Sequence, residues 1–150
     1  PMNPLAVALA AGATFVARCF SGKQEYLARV SGQAIRHKGY ALVDILQPCV
    51  SFNEVNTVAW YNDRVYELDD SHDPADFTAA LGKAMEFGDR IPLGVIYQTA
   101  RPTYHELRPE IYSDKPLIDQ KPEPEKLGGL LGSYLYAAPK QEKNVKEDTV

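Results

Sequence analysis

The sequence predicts an α/β domain built around parallel strands. Residues 14–20 are rich in β-forming side chains and residues 40–46 are almost continuously apolar, with a stretch of helical periodicity between them. A strand, a helix and a strand at this spacing form a right-handed unit with parallel strands. Because residues 40–46 contain only one charged side chain, we expect this strand to be covered on both faces.

The helices of the first half have recognisable ends. Asn3 can cap a helix that has Pro4 at its first position, and Gly12 is a suitable end for it. A second helix is expected to start near Lys23 and to end at Gly39. Its apolar residues recur at helical spacing and predict one buried stripe: Leu27, Val30, Ala34 and Ile35.

Two further helices are predicted after residue 55. The first is capped by Asn56 and carries four apolar residues: Val58, Tyr61, Val65 and Leu68. The second is capped by Asp73, with Pro74 at its first position, Asp76 in its first turn and Gly88 at its end. Its expected buried stripe consists of five residues: Phe77, Ala80, Leu81, Ala84 and Met85.

The end of the chain is predicted to be less regular. Residues 91–97 form a short strand in which Pro92 must be the first residue or lie at a sheet edge. A short helix starts near Arg101. We expect the apolar residues 127–138 to dock on a partner, and residues 140–150 to be disordered.

Composition excludes several classes of function. The 150 residues suit one ordinary domain. The net charge of -4 does not predict a surface that binds nucleic acid or an anionic membrane. Two cysteines are not a disulfide framework, and no apolar run has the roughly 20 residues of a membrane span. The sequence therefore predicts a soluble, cytoplasmic protein. Because Pro1 is not an initiator residue, we expect a piece of a longer or processed chain.

Cys49 is the candidate site residue. It follows the apolar strand directly after Gln47 and Pro48, and in open α/β sheets ligands gather beyond the carboxyl ends of strands. A thiol at this place suits a metal cluster or redox chemistry. The alternative is a small buried hydrophobic residue, since free cysteines are often buried and no second cysteine lies nearby at metal or redox spacing.

No other residues form a complete active site in the sequence. His37, His72 and His105 are far apart and lack the spacing of metal ligands, so we interpret them as a helix-end contact, a loop residue and a surface residue. The acidic residues between positions 67 and 76 lack a calcium-loop pattern. No nucleophile-elbow motif occurs, and residues 128–132 do not form a phosphate loop.

Several motifs, taken in order, resemble the β subunit of the 2-oxoacid:ferredoxin oxidoreductases. The resemblance extends over about residues 3–110. Its motifs lie at residues 3–18, 39–53, 56–61, 73–77, 88–95 and 101–104. The resemblance implies an enzyme that oxidatively decarboxylates a 2-oxoacid to acyl-CoA and passes electrons through a [4Fe-4S] cluster to ferredoxin. It also implies thiamine diphosphate and magnesium in the complete subunit, an α subunit as partner, and Cys49 as the last of four cluster ligands.

This chain resembles only the C-terminal half of that subunit. The other three cluster cysteines and the Gly-Asp-Gly stretch that holds magnesium and diphosphate are absent. Cys19 matches no family position and is expected to be structural. The resemblance implies that residues 1–46 are the C-terminal part of the thiamine-diphosphate-binding α/β domain, which has a parallel sheet. It also implies that residues 47–112 are a C-terminal α+β extension. Residues 113–150 are then a docking or disordered tail.

Two functions remain open at this point. The chain is either one piece of a working oxidoreductase, completed by the upstream half of the β subunit, or a non-catalytic packing and dimerisation module. In neither case does the chain alone carry a complete activity. No residue in it is predicted to be a catalytic acid or base, and the substrate 2-oxoacid is not specified.

Overall fold

The computed structural model describes residues 2–108, 117–119, 121 and 124–135. The chain divides into two compact units, Pro1–Tyr112 and Ser113–Val150. The first unit contains a four-stranded sheet with helices packed against it. Its strands are β1 (Phe15–Phe20), β2 (Ala41–Leu46), β3 (Val65–Glu67) and β4 (Ile91–Gln98).

The sheet is mixed, and its strand order is β2-β1-β4-β3. The parallel pair predicted from the sequence is confirmed: β1 and β2 run side by side from the Phe15–Ala41 pair to the Phe20–Leu46 pair. Strand β4 lies antiparallel to β1 and parallel to β3. Consequently the segments before and after residue 46 share one sheet.

Five helices are described in this unit: α1 (Pro4–Ala10), α2 (Gln24–Arg36), α3 (Val58–Asn62), α4 (Phe77–Met85) and α5 (Tyr104–Leu107). The predicted cap of α1 is confirmed, because the Asn3 side chain accepts hydrogen bonds from the backbone of Leu5 and Ala6, both at 3.1 Å. The predicted short helix after Arg101 is α5.

The predicted caps of the two later helices are wrong. Thr57 rather than Asn56 caps α3, and Val65 belongs to β3 because the helix ends at Asn62. Asp76 rather than Asp73 caps α4 by accepting from the backbone of Thr78 and Ala79. Asp73 instead accepts from the Ala75 backbone in a turn. Two aspartates three residues apart can both cap a helix, and the packing of the chain decides between them.

The expected covering of β2 on both faces is confirmed in part: Leu42 packs against the core cluster on the side of α1, and Ala41 and Val43 pack against the core cluster on the side of α2. Strand β2 is the edge of the sheet, its residues are mostly half-buried, and Ile45 is exposed. The fully buried strand is β1, all six residues of which are inaccessible. An apolar strand at an open edge is a surface onto which a further strand can pair.

Pro92 does not make β4 an edge strand, contrary to the prediction. It is the second residue of an internal strand. The backbone groups of the neighbours Ile91 and Leu93 hydrogen-bond to Arg64 and Leu68, which flank β3, so the nitrogen of Pro92 faces the other way. On that side of β4, the pairing with β1 reaches only as far as the Arg18–Gly94 pair and does not include Pro92. The missing N–H therefore removes no bond from either ladder.

The hydrophobic core lies on both faces of β1. Val16 packs with α1, α4 and β4 on one face, in a cluster made by Leu5, Leu9, Ala80, Ala84 and Ile96. On the other face Phe15, Ala17 and Cys19 pack with Val30 of α2. The predicted helix stripes are buried only in part. Four of their residues are exposed: Ile35, Phe77, Leu81 and Met85.

Arg18 is a buried cation that ties three elements together. Its Nε donates to Asp44 of β2 at 3.1 Å, and its two terminal nitrogens donate to the carbonyls of Glu86 and Ala84 at 3.0 and 3.3 Å. The residue is only 2% exposed. A buried charge is tolerated only when it is paired and hydrogen-bonded, so this network fixes β1, β2 and the end of α4 relative to one another.

The second unit is described over a short 3-10 helix, Leu117–Asp119, and helix α6, Pro124–Tyr134. Apolar side chains of α6 are exposed, Leu130 and Leu131 among them. Docking of residues 127–138 on a partner stays a prediction, and residues 140–150 lie outside the described part of the chain. Among the helices that the structure describes, none is long and apolar enough to cross a membrane.

Replacing Arg18 tests how much its hydrogen bonds contribute to stability. We expect Arg18→Met to lower the free energy of unfolding by about 3–5 kcal/mol, because Asp44 and two carbonyls lose their donor. The matched control is Lys23→Gln, which breaks an exposed pair with Glu67 at 2.9 Å and should cost at most about 1 kcal/mol. Urea unfolding of both variants measures the difference, and equal losses would contradict the assignment.

Candidate functional site

Strand β2 presents Cys49 to solvent just beyond its carboxyl end. The last carbonyl of the strand, that of Leu46, accepts from the Ser21 backbone at 3.0 Å, so the strand end is held to the segment after β1. Cys49 follows three residues later and is exposed. The alternative interpretation of Cys49 as a buried hydrophobic residue is therefore wrong. An accessible thiol at a strand end is what a cluster ligand requires.

The loop after Cys49 is ordered by the side chain of Asn53. The backbone N–H of Asn53 donates to the Cys49 carbonyl at 2.9 Å. Its side-chain oxygen accepts from the backbone of Val55 at 3.0 Å and of Asn56 at 2.9 Å, and its amide nitrogen lies 3.2 Å from the Asn56 side-chain oxygen. Because these bonds close the loop on itself, Cys49 starts a turn of defined shape.

Exposed apolar side chains follow Cys49 on the same loop. Val50 is 81% exposed and Phe52 is 93% exposed, and Val55 on the same loop is also accessible. Three accessible apolar residues within seven positions of a polar loop are uncommon on a surface that faces only water.

Cys19 differs from Cys49 in every respect that governs thiol chemistry. It is completely buried in the core cluster next to β2. Burial, with a smaller contribution from the nearby Asp44 carboxylate, raises the pKa of the Cys19 thiol to about 11. Only the thiolate binds metal strongly, so Cys19 stays a neutral, structural residue, as the sequence analysis expected.

The three histidines serve local structure or lie at the surface. His37, which follows α2, contacts the hydroxyl of Thr14 at 2.8 Å, and His72 in its loop contacts the carbonyl of Ile96 at 2.8 Å. His105 is exposed. Within the described residues, no group of three His, Cys, Asp or Glu side chains could hold a metal ion. Cys49 is the one residue in this part of the chain for which the resemblance implies metal binding.

A polar cluster that the sequence did not reveal joins β3 to α4. Lys83 donates to the Tyr66 hydroxyl at 2.9 Å and to Glu86 at 3.0 Å, and the Tyr66 hydroxyl donates to Glu86 at 2.9 Å. The bonds to Tyr66 and Glu86 raise the pKa of Lys83. Burial by itself would raise the pKa of Glu86. The hydrogen bonds from Lys83 and Tyr66 and the charges of Lys83 and Arg90 together outweigh burial, so the pKa of Glu86 lies below its ordinary value. Both groups are held charged, which suits a structural role.

Known proteins are similar to more than two thirds of this chain. The family model for the C-terminal region of the pyruvate ferredoxin oxidoreductase beta subunit matches residues 49–113. A 2-oxoacid:ferredoxin oxidoreductase subunit beta from Sulfolobus sp is 41% identical over 117 residues, which is 70% of this chain and 38% of the relative. The subunit beta of 2-oxoacid:ferredoxin oxidoreductase 1 from Aeropyrum pernix is 43% identical over 117 residues, with 70% and 37% covered.

A solved structure agrees with the sequence relatives. It is the 2-oxoglutarate:ferredoxin oxidoreductase from Magnetococcus marinus, with 2-oxoglutarate, coenzyme A and succinyl-CoA bound. The TM-score is 0.70 at 33% identity, and the match covers 87% of this chain and 44% of that chain. These findings confirm the resemblance predicted from the sequence motifs. The chain spans less than half the length of each of these relatives.

The order of the Cys49 loop can be tested at Asn53. We expect Asn53→Ala to speed hydrogen exchange at the amides of Val55 and Asn56, because both lose their acceptor. The cost should be about 1 kcal/mol locally, with little change in global stability. Asn53→Asp is the matched control, since its carboxylate keeps both bonds. Unchanged exchange in Asn53→Ala, measured by NMR, would show that the side chain does not order the loop.

Proposed function

We propose that this chain, which is homologous to the C-terminal part of 2-oxoacid:ferredoxin oxidoreductase β subunits, works as one part of such an enzyme. The complete assembly would oxidatively decarboxylate a 2-oxoacid to acyl-CoA and pass electrons through a [4Fe-4S] cluster to ferredoxin. The names of the relatives support this class of activity. Because the chain spans less than half of them, the upstream half of the β subunit and the α subunit would complete the site.

The exposed thiol of Cys49 at the end of β2 is the observation that carries this proposal. A [4Fe-4S] cluster is held by four cysteine thiolates. This chain has two cysteines, and Cys19 is buried and protonated. The donor set of this chain therefore fits one ligand of the four, and the other three must come from the upstream half of the subunit.

The residues of the chain would hold and shield that ligand. The bond from Ser21 to the Leu46 carbonyl fixes the strand end, and Asn53 fixes the turn that follows Cys49. Val50 and Phe52 would exclude water from the cluster, which influences its reduction potential. When bound, the cluster supplies one-electron transfer and thiamine diphosphate supplies carbanion stabilisation.

The open edge of β2 supports the proposed division of the chain. Residues 1–46 would end the thiamine-diphosphate-binding α/β domain, with a further strand of the upstream half pairing on β2. Residues 47–112 would be the extension that carries Cys49, and residues 113–150 a docking tail. Apolar side chains at and beside the edge are accessible in the described part, such as Ile45 and Val7. The two free thiols suit a reducing compartment such as the cytoplasm.

The same open edge favours a second candidate function, a packing or dimerisation module without catalysis. Such a module would need the apolar surface beside β2 and would not need the thiol of Cys49. The two functions therefore differ in whether they need the thiol of Cys49.

Cys49→Ser separates the two functions in the complete assembly. We expect it to remove the electron paramagnetic resonance signal of the reduced cluster and the reduction of ferredoxin, because a hydroxyl is a poor ligand for iron. Cys19→Ala is the matched control and should keep both, since its sulfur is buried in the core. If Cys49→Ser retained the signal and the turnover, the ligand assignment would be wrong and the packing module would be favoured.

A further inference from the structure

A cleft of about 780 Å³ lies at the opposite end of β2 from Cys49. Its walls are the turn after α1, the turn before β2 and the segment that leads from β4 into α5. Strand β2 has six residues, so the cleft and the thiol are separated by roughly 20 Å along the strand. The size is within the range of sites that hold small molecules.

Thr14 and two glycines line the inner part of the cleft. The buried hydroxyl of Thr14 donates to the Tyr40 carbonyl and accepts from the Tyr40 backbone, both at 3.1 Å. Gly12 and Gly39 have φ angles of 85° and 141°, which favour glycine. A Cβ at Gly39 would collide with Thr14, and one at Gly12 would lie 3.1 Å from the Arg101 guanidinium. The absence of these side chains therefore makes room for the Thr14 hydroxyl and the Arg101 guanidinium beside the cleft.

The cleft is cationic in a chain whose net charge is negative. Arg101 and Lys38 line it, and within the described residues neither forms an ion pair. The one carboxylate in the lining, Glu106, already accepts from the Thr103 backbone at 2.7 Å and from its hydroxyl at 2.9 Å. The cleft thus holds two cations and one carboxylate that is already hydrogen-bonded, so positive charge remains to attract a bound anion.

Two tyrosines flank the cations. Tyr40 is 60% exposed and Tyr104 is 62% exposed, and both line the cleft. Accessible aromatic rings are surfaces on which nucleotide bases stack. A planar guanidinium is suited to bind phosphate through two parallel hydrogen bonds.

From the two cations, neither of which forms an ion pair within the described residues, and from the two accessible rings, we propose that this cleft binds a phosphate-bearing nucleotide. The phosphate lies between Arg101 and Lys38, and the base packs against Tyr104. A free adenine nucleotide and coenzyme A share this chemistry. Only the coenzyme A possibility rests on the proposed function, since the cleft itself does not involve Cys49.

Calorimetric titration of the full chain at low salt tests the site, with ADP, coenzyme A and inorganic phosphate as separate probes. We expect saturable binding of ADP, weakened at least about 10-fold by Arg101→Gln or Lys38→Gln, since each removes a charge-assisted hydrogen bond. Arg101→Lys should retain part of the affinity, because lysine keeps the positive charge but lacks the two parallel N–H donors of the guanidinium. The matched control is Arg36→Gln, an exposed arginine outside the cleft, which should change binding less than about 2-fold.

Tyr104→Leu tests the nucleotide part of the proposal. It should weaken ADP about 5-fold or more through lost stacking and leave inorganic phosphate unaffected. Tighter binding of coenzyme A than of ADP would identify the source of the nucleotide. Absence of saturable binding, equal losses in Arg101→Gln and Arg36→Gln, or unchanged ADP affinity in Tyr104→Leu would each overturn the proposal. Cys49→Ser should leave all three titrations unchanged, so failure of the cluster assignment is distinguishable from failure of this site.

Discussion

The buried guanidinium of Arg18 is the interaction on which the rest of the structure depends. It joins Asp44 of β2 to the last carbonyls of α4, and it is almost inaccessible to water. Removing any one acceptor would leave a buried charge incompletely paired, so the strands and the helix keep one arrangement. Both candidate sites adjoin β2, and their geometry therefore depends on how this cation holds that strand.

Strand β2 carries different chemistry at its two ends. Beyond its carboxyl end the exposed thiol of Cys49 starts a turn that Asn53 closes, and exposed apolar side chains follow it on the same loop. Before its amino end the chain forms a glycine-lined cleft with two cations. The first suits an iron ligand shielded by a partner, and the second suits an anion. One rigid strand can thus fix two binding functions at a constant separation.

Local signals made part of this structure predictable. The cap at Asn3 and the β1-α2-β2 unit involve residues close in sequence, and both were predicted. The insertion of β4 between β1 and β3 pairs residues of β1 and β4 that are about eighty positions apart, which no local pattern specifies. Cys49 was predictable from its place after an apolar strand together with the family motifs. The cleft was not, because three separate turns bring Lys38 and Arg101 together only in the folded chain.

The central claim is that Cys49 ligates an iron–sulfur cluster supplied in part by the upstream half of the subunit. The most direct measurement is alkylation of Cys49 in natively purified, anaerobic complex, with iron and acid-labile sulfide determined on the same sample. The account predicts four irons and four sulfides for each chain, as one [4Fe-4S] cluster requires, and a thiol protected until the iron is chelated. An iron-loaded complex in which Cys49 is alkylated at the same rate before and after chelation would contradict it.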